Sequence, residues 1–297
     1  MVSPGILLVD KPAGLTSHDV VARTRRAFGT RKVGHAGTLD PMATGLLVIG
    51  IEGATRLLTY IVGADKTYEA TIRLGQTTGT DDADGDIVTS AAADAWTHVD
   101  DERIAAGIRA LTGSISQVPS SVSAIKVDGR RAYDRVRAGE EVVLAAREVT
   151  VSRFQVLARR AGDGVIDLDV IVDCSSGTYI RSLARDLGAD LGVGGHLTAL
   201  RRTRVGDFDV ADAVVIDDLA GAQTLTPAQA ASRVLPALPV TAEEARDLRH
   251  GKRLVDQAVR LDGRLAAAID HEEVLVGVVE KRGADLKSVM NMPEASR

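Results

Sequence analysis

The 297-residue chain predicts an α+β fold around a largely antiparallel, mixed sheet, with a small β-rich module at the C-terminus. Three observations carry this. Strand-like runs outnumber helical ones through the middle of the chain, without the regular alternation that a doubly wound sheet requires. Two alternating runs, Val149 to Leu157 and Val165 to Cys174, flank Ala161-Gly162-Asp163-Gly164, which supplies the glycines of a tight hairpin turn. Pro236 and Pro239 then mark a linker, after which Leu265 to Ile269 and Val274 to Val279 read as short strands.

The remaining elements follow in chain order. Ile6 to Asp10 is a short buried strand, and Ser17 is expected to cap a helix whose Val20, Val21, Thr24, Ala27 and Phe28 recur at helical spacing. Gly29 to Asp40 reads as a polar loop, Gly45 to Gly50 as an apolar strand, Thr55 to Val62 as a short helix and Thr67 to Gly75 as a half-buried strand. From Thr178 to Leu191 a helix turns Ile180, Ala184, Leu187 and Leu191 inward and leaves Arg181 and Arg185 one turn apart on another face. Near the end, Thr241 to His250 is a helix capped by Thr241 and stopped by Gly251. The expected domains are residues 1–235 and 236–297.

Composition narrows the class. Hydrophobic residues at 45% and charged residues at 26% are ordinary globular usage. The single cysteine, Cys174, excludes an intrachain disulfide and a metal site built on paired cysteines, and it fits a reducing, cytoplasmic home. No apolar run approaches the roughly 20 residues that span a bilayer, so no membrane insertion is expected. The net charge of −5 argues against indiscriminate nucleic-acid binding, yet the charges are unevenly placed. Thr80 to Glu102 holds eight acidic residues and no Lys or Arg. Basic groups gather instead at Arg23 to Lys32, at Lys126 to Arg137 and at Arg201 to Arg204, and they could converge on one phosphate-tracking face or simply be solvated surface.

Several chemistries lack their residues. Gly29 to Gly34 has the glycine spacing of a phosphate loop, but His35 and Ala36 stand where Lys and Ser or Thr are needed. Asp82, Asp84 and Gly85 suggest a calcium loop, but Thr80 and Ala91 occupy ligand positions. Gly192, Gly194 and Gly195 follow a helix, which suits a helix terminus better than a dinucleotide site. The six histidines include no pair at helical metal spacing, so no metal is expected.

The segment Gly34-His35-Ala36-Gly37-Thr38-Leu39-Asp40-Pro41-Met42-Ala43-Thr44-Gly45 places glycines, a histidine and an aspartate in one loop ahead of an apolar strand. Pro41 biases Asp40 away from the α region and could hold its carboxylate at the strand mouth, although a plain turn former would look the same. This segment resembles the catalytic motif of the TruB family of pseudouridine synthases, Gly-His-x-Gly-x-Leu-Asp-Pro-x-Ala-x-Gly. Asp10-Lys11-Pro12-Ala13-Gly14-Leu15-Thr16-Ser17 is similar to the family's N-terminal motif, and Asp65-Lys66-Thr67-Tyr68 with Leu74-Gly75 to its tyrosine-bearing strand. Cys174-Ser-Ser-Gly-Thr-Tyr-Ile-Arg181 and His196-Leu197-Thr198-Ala199-Leu200-Arg201-Arg202 resemble a third and fourth motif in the family's order. Gly79 and Val122 depart from the pattern, where members usually carry aspartate and tyrosine.

The resemblance implies a pseudouridine-synthase-like fold with a PUA-like C-terminal domain that binds RNA, acting on uridine-55 in the TΨC loop of transfer RNA. It implies that Asp40 is essential and pairs with Arg181, and that Tyr68 stacks on a flipped base. Tyr179 would line the pocket, Leu200 close its floor, and His35 wedge into the gap left in the RNA. Taken singly, Tyr68 and Leu200 read as core packing and His35 as a structural histidine. An RNA-gripping insertion at about 117–145 would contribute Lys126, Arg130 and Arg131, with Lys11, Arg56, Arg201 and Arg202 adding phosphate contacts. The isomerisation is redox-neutral and demands no cofactor; a monomer acting without an obligatory protein partner is expected. A guide-RNA-dependent synthase, or an RNA-folding module with dispensable chemistry, are the competing readings.

Overall fold

The computed structural model describes residues 2–120, 126–127, 130–131 and 144–293. In chain order the elements begin with β1 (Gly5–Lys11), α1 (Ser17–Phe28), β2 (Val33–Ala36), β3 (Thr44–Ile51), α2 (Leu58–Val62) and β4 (Lys66–Leu74). Next come β5 (Gln76–Thr78), β6 (Ile87–Ser90), α3 (Asp101–Ala110), β7 (Gly113–Gln117), β8 (Lys126–Val127), β9 (Arg130–Arg131), β10 (Arg147–Gly162) and β11 (Val165–Cys174). The chain then forms α4 (Ile180–Asp190), β12 (Gly195–Val205), β13 (Phe208–Asp209), β14 (Val214–Val215) and α5 (Pro227–Ser232). It closes with β15 (Ala237–Pro239), α6 (Ala242–Arg249), β16 (Leu265–Ile269), β17 (Leu275–Arg282) and β18 (Asp285–Asn291). The expected α+β class with predominantly antiparallel pairing is what these elements form.

Two compact units emerge. One comprises Met1–Pro41, Gly45–Ala64 and Arg204–Arg297; the other comprises Met42–Thr44 and Asp65–Thr203. In the first, β1 lies antiparallel to β3 from Gly5 opposite Ile51 to Lys11 opposite Gly45, and β14 runs parallel to β1. The stretch Gly29 to Asp40 is not wholly loop, because Val33–Ala36 pairs with β3. Its two apolar ends, Val33 and Ala36, are buried, and a four-residue strand containing Gly34 and His35 has too little alternation to stand out in sequence. The C-terminal sheet, in the order β15-β16-β17-β18, has its own core of Leu248, Ala266, Val276 and Leu286 among others. Its Ala267 and Leu275, with Met292, also pack into the core formed by Ile6, Leu46, Val48 and Phe208. The proline-bracketed stretch read as a linker includes a strand, Ala237–Pro239, running parallel to β16. A proline is tolerated on such an edge strand because its missing N–H costs no ladder bond there.

In the second unit the strand order is β12-β4-β11-β10-β7. The predicted hairpin forms, with Gly162 opposite Val165 and the intervening Asp163 and Gly164 at φ 47° and 75°. Positive φ at both central residues is the turn whose twist matches the flanking strands. β11 alternates buried and half-buried along its whole length. Its buried side, including Leu168, Val170 and Val172, contributes to the apolar core, and α4 adds Leu183, Ala184 and Leu187 to the buried set. On the opposite side its aspartates meet cross-strand partners: Asp167 accepts both Nε and Nη2 of Arg73 at 2.8 Å, and Asp173 meets Arg153 Nε at 2.8 Å. Each such half-exposed pair contributes about 0–1 kcal/mol; their effect is to neutralise that face. Between residues 121 and 143 only the backbone pairing of β8 with β9 is described, so the Lys126, Arg130 and Arg131 side chains and Val122 lie outside the described residues.

Candidate active site

Asp40 is placed by its two neighbours in sequence. Thr16, not Ser17, caps α1, and it does so through a capping box with Asp19. Ser17 in the first turn is thereby left to face Leu39: the Leu39 N–H donates to Ser17 Oγ at 2.9 Å and Ser17 Oγ donates to the Leu39 carbonyl at 3.2 Å. Beyond Asp40, the Pro41 carbonyl accepts from the Gly14 N–H at 2.8 Å and from Lys11 Nζ at 3.2 Å. Gly37, at φ 85°, makes the turn into this segment that a side chain would strain. Leu39 is buried and Asp40 half-buried, so the backbone around the carboxylate is anchored while the residue keeps partial access to solvent.

Lys11 does this work from the end of β1. It is 0% exposed, and Nζ also donates to the carbonyls of Leu15 at 2.7 Å and Pro12 at 3.0 Å. Three carbonyls replace the water a buried ammonium would otherwise lose. His35, half-buried on β2, packs edge-on against His18 with ring centroids 5.6 Å apart.

The other expected residues gather in the second unit. Arg181 is 3% exposed, at the start of α4, and Nη1 reaches Asp82 Oδ2 at 3.3 Å and donates to the Thr80 carbonyl at 2.8 Å. The face that spacing set apart from the apolar one is buried at this position. Asp82, 5% exposed by its side chain, also accepts from Thr80 Oγ1 at 2.5 Å and from the Asp84 N–H at 3.1 Å. Tyr179 precedes the helix, and its backbone N–H and carbonyl are both held by the buried Gln117 side chain, at 2.8 and 3.1 Å. Tyr68 on β4 sits opposite Val172, 7% exposed, and Leu200 on β12 is equally buried. Arg201 is half-buried, with Nη1 3.5 Å from Thr44 Oγ1. Lys66 and Cys174 are cross-strand partners; burial pushes the ammonium down to about 8 and the thiol up to about 11. Among the described residues, no group of three His, Cys, Asp or Glu side chains could hold a metal ion.

Comparison with known proteins gives this arrangement a lineage. Residues 25–180 match the N-terminal domain of the TruB family of pseudouridylate synthases, and residues 181–244 match the C-terminal domain of tRNA pseudouridylate synthase B. The chain belongs to the TruB family. It is 60% identical to the tRNA pseudouridine synthase B of Leifsonia xyli over 99% of this chain and 98% of the relative. The enzyme of the same name from Mycobacterium sp. (strain KMS) is 54% identical over the same shares of each chain. Among solved structures, the chain resembles a protein of an H/ACA ribonucleoprotein bound to a substrate RNA containing 2'-deoxyuridine, with a TM-score of 0.70 and 25% identity over 97% of this chain and 85% of the other. As a TruB-family synthase the protein is an isomerase.

Two of the TruB-family residues expected to touch phosphate stand elsewhere. Lys11 is buried as described, and Arg202 is 1% exposed on β12. Arg56 is exposed, and its Nη1 donates to the Asn291 carbonyl. Sequence reasoning missed Asp82, Gln117 and Ser17. Asp82 was visible only as one of eight acids in a charge run, and its Thr80-x-Asp82 spacing was weighed solely as a calcium ligand set. Gln117 and Ser17 act on backbone atoms far away in the chain, which no local pattern encodes.

Proposed function

We propose that this protein converts uridine-55 in the T loop of transfer RNA to pseudouridine, with Asp40 as the catalytic carboxylate. The observation that carries the reading is the anchoring of Leu39 and Pro41 on either side of Asp40, within a motif shared with the TruB family. The reaction breaks the C1′–N1 bond, turns the base and joins C1′ to C5; a proton leaves C5 and N1 gains one. No electrons or water are consumed, so the protein must supply position and charge. Asp40 serves either as a nucleophile or as a base that takes a ribose proton, and both roles need it ionised.

Reaching the base requires flipping it out of the loop, at a cost of a few kcal/mol that new contacts must replace. Tyr68 is the stacking partner, Tyr179 a pocket wall and Leu200 its floor, with His35 as the wedge in the RNA. Arg181, fixed by Asp82, provides positive charge for the reacting carboxylate. Lys126, Arg130 and Arg131 grip the stem, and Arg56 and Arg201 add phosphate contacts. Residues 236–297 form a PUA-like module that extends this RNA contact. The enzyme works in the cytoplasm as a monomer, without metal, cofactor or obligatory protein partner.

Incubating the purified chain alone with an unmodified T-arm stem-loop, then mapping pseudouridine by mass spectrometry, tests the reading. Wild type is expected to convert the single target uridine and Asp40→Asn to bind the RNA without converting it. No conversion by wild type alone would favour the guided mode. A biological effect that Asp40→Asn preserves in full would favour the RNA-folding reading.

A further inference from the structure

We propose that Arg147 is a substrate-binding residue that takes a backbone phosphate of the RNA next to the flipped nucleotide. This rests on the RNA substrate proposed above. Arg147 opens β10 and pairs in register with Gln117 of β7, the residue whose side chain holds both backbone groups of Tyr179. Its guanidinium lies over the Tyr179 ring, with Cζ 4.6 Å from the centroid. Its Nη1 is 3.8 Å from where a side chain on Gly177 would begin, an ordinary van der Waals separation.

The informative atoms are Nε and Nη2. Both are buried, and neither has a hydrogen-bond partner among the described residues. These two donors form one edge of the guanidinium, the fork that matches two oxygens of a phosphate or carboxylate. The chain shows the same fork in use elsewhere: Arg73 presents Nε and Nη2 to Asp167, at 2.8 Å each. A cation with two dry, unmade donors is costly in a folded chain, far more so than an exposed arginine, and the cost is relieved when an anion binds. The anion favoured is a phosphate, because the ring beneath this arginine belongs to Tyr179, two residues before Arg181 in the motif shared with the TruB family. Stacking of the guanidinium occupies one face of Tyr179, which leaves its hydroxyl edge and other face for the base. Binding of phosphate at Arg147 thereby seats the tyrosine as the RNA arrives.

The test measures affinity of the full-length chain for an unmodified T-arm stem-loop across a salt series, for wild type, Arg147→Gln and Arg147→Lys. Arg147→Gln is expected to bind about tenfold or more weakly, with the log–log salt slope reduced by about one. Arg147→Lys, which keeps the charge but not the fork, should keep the slope and lose part of the affinity. A scan of single methylphosphonates should find one position flanking the target uridine that weakens wild type but leaves Arg147→Gln unchanged. An unaltered slope in Arg147→Gln, or a scan in which every position affects both proteins alike, overturns the proposal. Should Arg147→Gln melt below the assay temperature, Arg147→Lys against the same scan carries the decision, since it must lose the position-specific effect at least in part. Pseudouridine formation by wild type, measured in the same samples, tests the enzymatic reading separately: RNA binding that depends on Arg147 without conversion would retain this site and reject that function.

Discussion

The segment around Asp40 and the surroundings of Arg181 anchor the two side chains proposed for catalysis in different ways. Asp40 is fixed through its neighbours' backbone: Ser17 grips Leu39, and Lys11 and Gly14 grip Pro41. Arg181 is fixed by its own charged head, through Asp82 and the Thr80 carbonyl. The first arrangement sets where the carboxylate stands through the main chain on either side of it. The second commits a charge to a buried partner and gives up any freedom to move it. A reacting carboxylate suits the former, and a guanidinium that tunes its surroundings suits the latter.

The contrast can be broken most severely at Asp82. Replacing Asp82 with Ala removes a buried carboxylate partner of the Arg181 guanidinium, and a loss of about 3–5 kcal/mol in denaturant unfolding is expected, with turnover falling alongside. A change below 1 kcal/mol would mean that the pair is solvated and the comparison misdrawn. Ser17→Ala removes both bonds to Leu39 and leaves a buried N–H unmade, for about 1–3 kcal/mol. Its sharper signature is kinetic: the rate of the chemical step should drop while RNA affinity holds, because only the placement of Asp40 has changed. Equal losses in affinity and rate would point to general loosening instead.

A pH-dependent effect belongs to Lys66. Its folded value of about 8 lies below the ordinary 10.5, so between those limits the unfolded chain binds the extra proton and stability rises with pH. Below about 8 the burial penalty on the ammonium is fully felt. Lys66→Met should therefore be stabilised relative to wild type at neutral pH, with the advantage shrinking as pH climbs toward 10.5. Paired melts at pH 7 and 10 measure this; a gap that does not narrow would show that the lysine is not penalised by burial.

Much of this was legible because it is local. The hairpin between β10 and β11, the capped helix of the C-terminal module and the Asp40 loop each lie within a short run of residues whose turn chemistry is explicit. The strand at Val33–Ala36 escaped notice because it is four residues long and acquires its identity only from β3. Ala237–Pro239 looked like a linker for the same reason, since its prolines are acceptable only once it is known to lie at a sheet edge. Lys11 and Arg202 read as phosphate ligands because sequence shows charge but not burial. Arg147 carried no signal, and Asp82 only that of an acidic run, as each matters through a partner distant in the chain.

The anchoring of Asp40 makes one further demand, that the carboxylate work only where the loop puts it. Asp40→Glu keeps the charge and shifts the acid by a single methylene, and misplacement on that scale can cost about a hundredfold in rate. Single-turnover pseudouridine formation under saturating enzyme is expected to fall by at least that factor in Asp40→Glu, with RNA affinity unchanged. A glutamate variant that turns over at close to the wild-type rate would contradict the account.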